Sequence, residues 1–251
     1  MYRFFVDTSQ VDKINKSIDI LGEDVKHIKR VLRLKVGQEL EICDGAGNDY
    51  NVVIREMDED YIRTAIRSCD LSKGESNIKI TLYQGLPKST KMDMIIQKCT
   101  ELGIYSIVPI HTERTIVKLD NEKTEAKKLD RWQRIAYESA KQSKRARIPK
   151  IESVKGFANA LEILKDNDLN IIAYEQEKAR GLRSILINHT TVSKIGILIG
   201  PEGGFEEGEI LQAREKGAIP FTLGPRILRT ETAGFASLTI VMYVLGDLGG
   251  Y

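Results

Sequence analysis

A largely parallel α/β sheet with crossover helices, preceded by a small and mostly β module, is the architecture this 251-residue sequence predicts. Three observations carry it. Beyond residue 77, apolar runs alternate with stretches of helical apolar spacing, the strand–helix rhythm of a parallel sheet. Before residue 70, short β-like runs meet at Asp44-Gly45-Ala46-Gly47-Asn48, a turn rich in residues that accept positive φ. Between them, Asp70-Leu71-Ser72-Lys73-Gly74-Glu75-Ser76-Asn77 is polar and contains glycine, as a linker does. The expected domains are therefore 1–72 and 73–251.

In the first domain Tyr2–Val6 and Glu39–Cys43 read as strands, with Asp49–Arg55 and Tyr61–Ser68 following. Glu23–Leu34 reads as a helix, acidic at its start and basic towards its end, in accord with the macrodipole. In the second, Ile78–Tyr83, Ile104–Ile110, Leu169–Tyr174, Ile195–Ile199 and Pro220–Leu223 are the expected strands. The helices expected between them are Met92–Leu102, Thr124–Gln142, Phe157–Lys165, Glu206–Lys216 and Thr232–Leu245.

Composition excludes several classes. A hydrophobic content of 41% is ample for a core. No run approaches the ~20 apolar residues of a membrane span, and the first residues lack the apolar run of a secretory signal. A cytoplasmic protein with no membrane partner is expected. Cys43, Cys69 and Cys99 are odd in number and far apart, so they read as reduced packing thiols, with neither disulfides nor a metal site. Lys123–Lys150 holds ten basic residues against three acidic ones, leaving 28 basic and 33 acidic elsewhere. Such a local patch suits a polyanion, or else a solvated helix face laced with ion pairs.

Two segments carry the chemistry. Ile195-Gly196-Ile197-Leu198-Ile199-Gly200-Pro201-Glu202-Gly203-Gly204-Phe205-Glu206-Glu207 runs from a buried strand through a glycine-rich turn into a helix, at the sheet edge where α/β folds bind ligands. It lacks a P-loop Lys-Ser/Thr pair, and its acids would repel a polyphosphate, so a neutral or cationic ligand fits better. Leu223-Gly224-Pro225-Arg226-Ile227-Leu228-Arg229-Thr230-Glu231-Thr232-Ala233 again follows a strand and precedes a helix, with Thr230 or Thr232 available as N-cap. Arg229 is either a surface partner of Glu231 or a cation positioned for phosphate or a reacting base.

These paired segments resemble the C-terminal signature of the RsmE family of SPOUT methyltransferases, which methylate N3 of a uridine in small-subunit (16S) ribosomal RNA. Gly85-Leu86-Pro87-Lys88, Gln97-Lys98-Cys99-Thr100-Glu101-Leu102-Gly103, Glu113-Arg114 and Glu138–Arg145 are similar to the family's catalytic domain. Arg3-Phe4-Phe5 and His27–Arg33 resemble its PUA-like RNA-binding module. The resemblance implies a trefoil-knotted, parallel-sheet SPOUT domain behind an N-terminal PUA-like β-barrel. It also implies a homodimer and, as partner, small-subunit rRNA or the assembled small ribosomal subunit. It implies S-adenosyl-L-methionine as cofactor, held by Leu198, Ile199, Gly200, Pro201, Glu202, Gly203, Leu223, Gly224, Ile227, Leu228 and Arg229, with Tyr174 and Glu175 as additions.

Uridine N3 is protonated at neutral pH, so attack on a methyl group requires removal of that proton or stabilisation of the developing imidate. Glu138 and Glu202 are candidate bases and Arg229 a candidate stabiliser; Glu138 could instead pair with Lys141 or Gln142 in its helix. Arg3, Arg30, Arg33, Lys88, Lys91, Arg114, Arg131 and Arg145 are the expected RNA contacts. A ribose 2′-O-methyltransferase of the same class, and an RNA-binding assembly protein without catalysis, are the alternatives.

Overall fold

The computed structural model describes residues 2–72, 74–117 and 121–250, so Lys73, inside the expected linker, lies outside the described residues. The chain divides into two compact units, Met1–Glu75 with Ala140–Ile148, and Ser76–Ser139 with Pro149–Tyr251. The polar stretch 70–77 predicts a single domain over 73–251; the structure groups residues 140–148 with the first unit instead.

The first unit contains strands β1 (Arg3–Phe5), β2 (Val11–Asp12), β3 (Ser17–Leu21), β4 (Glu39–Cys43), β5 (Asn48–Met57) and β6 (Tyr61–Leu71). They form one sheet in the order β1-β4-β5-β6-β3-β2, antiparallel except for the β1–β4 pair. Its core follows the period of two: Ile18 and Ile20, Leu40 and Ile42, and Tyr50, Val52 and Ile54 are all buried, with Phe4, Val25 and Ile28 against them. The expected helix over 23–34 is an α-turn, α1 (Glu23–Lys26), that widens into a π-helical turn over His27–Val31.

Charge alone misplaced two residues of this unit. The Arg3 guanidinium donates to Glu41 (2.6 Å), Asp49 (2.7 Å) and the Arg145 carbonyl (3.2 Å). Arg145 is 4% exposed and grips Glu75 through Nη2–Oε2 (2.6 Å) and Nε–Oε1 (3.2 Å). Neither guanidinium faces outwards to meet RNA; both bind the unit together. Cys43 and Cys99 are buried as expected, whereas Cys69 is exposed on β6 and is not a packing residue.

The second unit alternates β7 (Lys79–Gly85), α2 (Lys91–Glu101), β8 (Ser106–His111), α3 (Glu122–Gln142), β9 (Lys150–Ile151), β10 (Lys155–Gly156) and α4 (Phe157–Ile163). It continues through β11 (Leu169–Ala173), α5 (Leu182–Ile187), β12 (Lys194–Ile199), α6 (Glu207–Glu215), β13 (Ala218–Phe221) and α7 (Thr230–Val244). The last residues of α3, from Ala140, belong to the first unit. The sheet runs β10-β8-β7-β12-β11-β13 with β9 on β8, every pairing parallel. Parallel register aligns Ile199 with Gln84, and Ala173 with Phe221, so the loops leaving β11, β12 and β13 emerge at one carboxyl edge. Below that edge Tyr83, Val108, Ile172, Leu198, Phe205 and Ile210 form a closed core.

Candidate functional site

At this carboxyl edge the second unit holds a cavity of about 550 Å³, within the range of small-molecule sites. Three loops build it: Tyr174-Glu175 after β11, the turn Gly200–Phe205 after β12, and Thr222–Arg229 after β13. Thr230 and Ala233 of α7 and Lys91 of α2 complete the wall. Of the residues expected to hold a cofactor, Tyr174, Glu175, Ile199, Gly200, Pro201, Glu202, Gly203, Leu223, Gly224, Ile227, Leu228 and Arg229 all line it. Leu198 does not. It is fully buried in the core, because along a strand Leu198 and Ile199 point to opposite faces.

The glycines are there for contact as much as for flexibility. A Cβ on Gly85 would lie 2.5 Å from the Pro201 nitrogen, so the β12 loop sits directly on the end of β7. Gly204 has φ +70° and donates its N–H to the Pro201 carbonyl at 3.0 Å, closing a tight turn that other residues resist.

Charges around this turn are paired in a definite order. The Glu202 carboxylate accepts from the Lys91 ammonium (2.9 Å) and the Lys88 backbone N–H (3.1 Å). Burial pushes its pKa up, but the bonds from Lys91 and Lys88 prevail and hold it below the ordinary carboxylate value. Lys91 is correspondingly held above its own ordinary value by that hydrogen bond to Glu202. On the other side of the turn Arg114 donates to Glu206 (2.7 Å) and to the Gly203 carbonyl (2.8 Å), and this pairing lowers the Glu206 pKa. Lys91 and Arg114, expected as RNA contacts, thus clamp the glycine-rich turn.

Arg229, by contrast, is exposed at the cavity, and among the described residues its guanidinium has no ion-pair or hydrogen-bond partner. The pair with Glu231 is not made: Glu231 is buried, and the nearest cation to its Oε2 is Lys91 at 3.6 Å. Glu138 is exposed on α3 and does not line the cavity. Its alternative partner Lys141 bonds to Asp24 instead, at 3.1 Å. Among the other expected RNA contacts, Arg131 pairs with Asp93 (2.5 Å), while Arg30, Arg33 and Lys88 are exposed.

Sequence reasoning missed Thr230 and Ala233 as part of the wall, together with Phe221, Thr222 and Arg226. Thr230, weighed as an N-cap, is the first residue of α7 and sends its hydroxyl to the Gly200 carbonyl at 2.6 Å. Among the described residues no helix is long and apolar enough to cross a membrane, and no group of three or more His, Cys, Asp or Glu could hold a metal ion.

Two family models match the chain: an RNA methyltransferase domain over residues 74–242, and an RNA methyltransferase PUA domain over residues 20–66. The ribosomal RNA small subunit methyltransferase E of Bacillus subtilis is 34% identical over 248 residues, 97% of this chain and 96% of that protein. The chain belongs to the ribosomal RNA small subunit methyltransferase E family. The Synechocystis member is 30% identical over 97% of this chain and 78% of its own length. The Neisseria gonorrhoeae member, solved bound to S-adenosyl methionine, superposes with a TM-score of 0.82 at 30% identity over 99% of both chains. In this family's terms, every residue that lines the cavity falls within the RNA methyltransferase domain.

Proposed function

We propose that this chain is an S-adenosyl-L-methionine-dependent methyltransferase that modifies N3 of a uridine in small-subunit ribosomal RNA. The cavity between the loops after β11, β12 and β13 is the observation that carries this reading. Its volume of about 550 Å³ suits a nucleoside-sized cofactor. Ile199, Phe221, Leu223 and Leu228 offer apolar walls for a base and a thioether, and Glu175 offers a carboxylate for a cationic group. When bound, S-adenosyl-L-methionine supplies a methyl group made electrophilic by its sulfonium sulfur.

The chain's own residues divide the remaining work. Arg229, exposed at the cavity and unpaired among the described residues, donates to the uracil carbonyl on which negative charge develops as the N3 proton leaves to solvent water. Glu202 is committed to Lys91 and Lys88 and is a weakened proton acceptor, so its role is to hold the glycine-rich turn rather than to act as base. Much of the rate comes from holding N3 in line with the methyl group. Arg30 and Arg33, exposed on the first unit, supply phosphate contacts.

The same reading includes the knotted threading of the catalytic domain, a cytoplasmic location and a homodimer. Exposed apolar side chains support the last: Ile227 at the cavity is 91% exposed and Tyr243 on α7 is 70% exposed, surface of the kind a second copy covers. Incubating the protein with methyl-tritiated S-adenosyl-L-methionine and small subunits, naked ribosomal RNA or tRNA tests the reading. Label confined to small-subunit RNA is expected; label in tRNA, or in none of the three, overturns it.

A further inference from the structure

Beneath the cavity three distant segments meet at one side chain. Gln84, near the end of β7, is fully buried and donates its amide N–H groups to the Gly85 carbonyl (3.0 Å) and to the Thr230 hydroxyl (2.9 Å). Thr230, 6% exposed, in turn donates a hydrogen bond from its hydroxyl to the Gly200 carbonyl at 2.6 Å. Gly200 opens the first glycine-rich loop and Thr230 closes the second. Among the described residues no other hydrogen bond joins the two loops.

We infer that the Thr230 hydroxyl, oriented by the Gln84 amide, is the strut that sets the separation of the two cofactor loops, which makes Thr230 and Gln84 positioning residues for cofactor binding. The inference rests on the methyltransferase reading above. A hydroxyl suits the task because it accepts from Gln84 while donating to Gly200, a double duty that a side chain of the same shape without the oxygen cannot perform. Burial makes the relay unforgiving. Removing the hydroxyl leaves the Gly200 carbonyl without its side-chain donor and reduces the Gln84 amide to its bond with the Gly85 carbonyl, where water does not replace what is lost. The loop then keeps its seat on Gly85 but loses its lateral tie to α7.

The test is calorimetric titration of S-adenosyl-L-methionine into the full chain, with the unfolding midpoint measured alongside. Thr230→Val, which keeps the shape and removes the hydroxyl, is expected to raise Kd about tenfold at a temperature where the variant is fully folded. Thr230→Ser, which keeps the hydroxyl and removes the methyl, is expected to stay within about twofold of the parent. Gln84→Met removes the far end of the relay together with the bond to the Gly85 carbonyl, weakens binding in the same direction, and decides the question if Thr230→Val does not fold. Unchanged Kd in folded Thr230→Val or in Gln84→Met, or equal loss in Thr230→Ser, overturns the strut while leaving the cofactor assignment intact. A parent protein that does not bind S-adenosyl-L-methionine overturns both.

Discussion

The Lys91 ammonium stands 2.9 Å from the Glu202 carboxylate, tying the first turn of α2 to the glycine-rich loop after β12. The same nitrogen is 3.6 Å from Oε2 of the buried Glu231, so a single cation serves two acids on different elements.

Lys91→Met is therefore expected to cost about 1–2 kcal/mol of stability at neutral pH, more than a simple surface pair, because Glu231 keeps its burial and loses the cation beside it. The loss depends on pH in a defined direction. The Glu202 pKa is lowered in the folded chain, so its contribution is present above the ordinary value of 4.5 and is lost as pH falls through the lowered one. Urea unfolding of parent and variant should show a gap at pH 7 that narrows as pH falls below 4.5. A gap that stays constant across that range would contradict the pairing.

Gly85→Ala should be among the most damaging single-methyl additions in the second unit. The new Cβ would meet the Pro201 nitrogen at 2.5 Å and the Gly200 carbonyl carbon at 2.9 Å, both backbone atoms with nowhere to go. A loss of about 2–3 kcal/mol is expected in thermal unfolding, together with loss of cofactor binding. Gly224→Ala meets no atom within 4 Å and faces only its φ of +106°, so about 1 kcal/mol is expected there.

The basic residues of the first unit should separate into two groups. Arg145→Ala breaks a buried pair with Glu75 and is expected to cost about 3 kcal/mol in chemical unfolding. Arg30→Ala and Arg33→Ala alter exposed side chains and should leave stability within about 0.5 kcal/mol. Each should instead weaken RNA binding and reduce the slope of log K against log salt by roughly one. An Arg145 variant that folds like the parent but binds RNA poorly would reverse this assignment.

These residues also mark what the sequence could reveal. Gly200–Gly204 and Leu223–Arg229 were legible because two such turns, each between a strand and a helix, can stand side by side at the sheet edge where α/β folds bind ligands, and both line the cavity. Strand alternation distinguishes Leu198, which packs in the core, from Ile199, which lines the cavity. The same alternation is visible in Ser17-Ile18-Asp19-Ile20-Leu21, the strand β3 that was not expected. Helix α5, six residues long, is too short to show a helical period. Arg3 and Arg145 could not be separated from Arg30 and Arg33 by charge, since what distinguishes them is Glu41, Asp49 and Glu75, placed beside them only by the fold. Gln84 and Thr230 are 146 residues apart, and the packing of α7 against β7 and β12 brings them together.

Identification of the modified nucleoside tests the central claim most directly. Small ribosomal subunits lacking the modification would be incubated with the protein and S-adenosyl-L-methionine, and the RNA digested and resolved by chromatography with mass detection. Recovery of 3-methyluridine, reduced strongly in an Arg229→Ala variant that still folds, is the expected result. Recovery of a ribose-methylated nucleoside, or no new methylated nucleoside while the cofactor binds, would contradict the account.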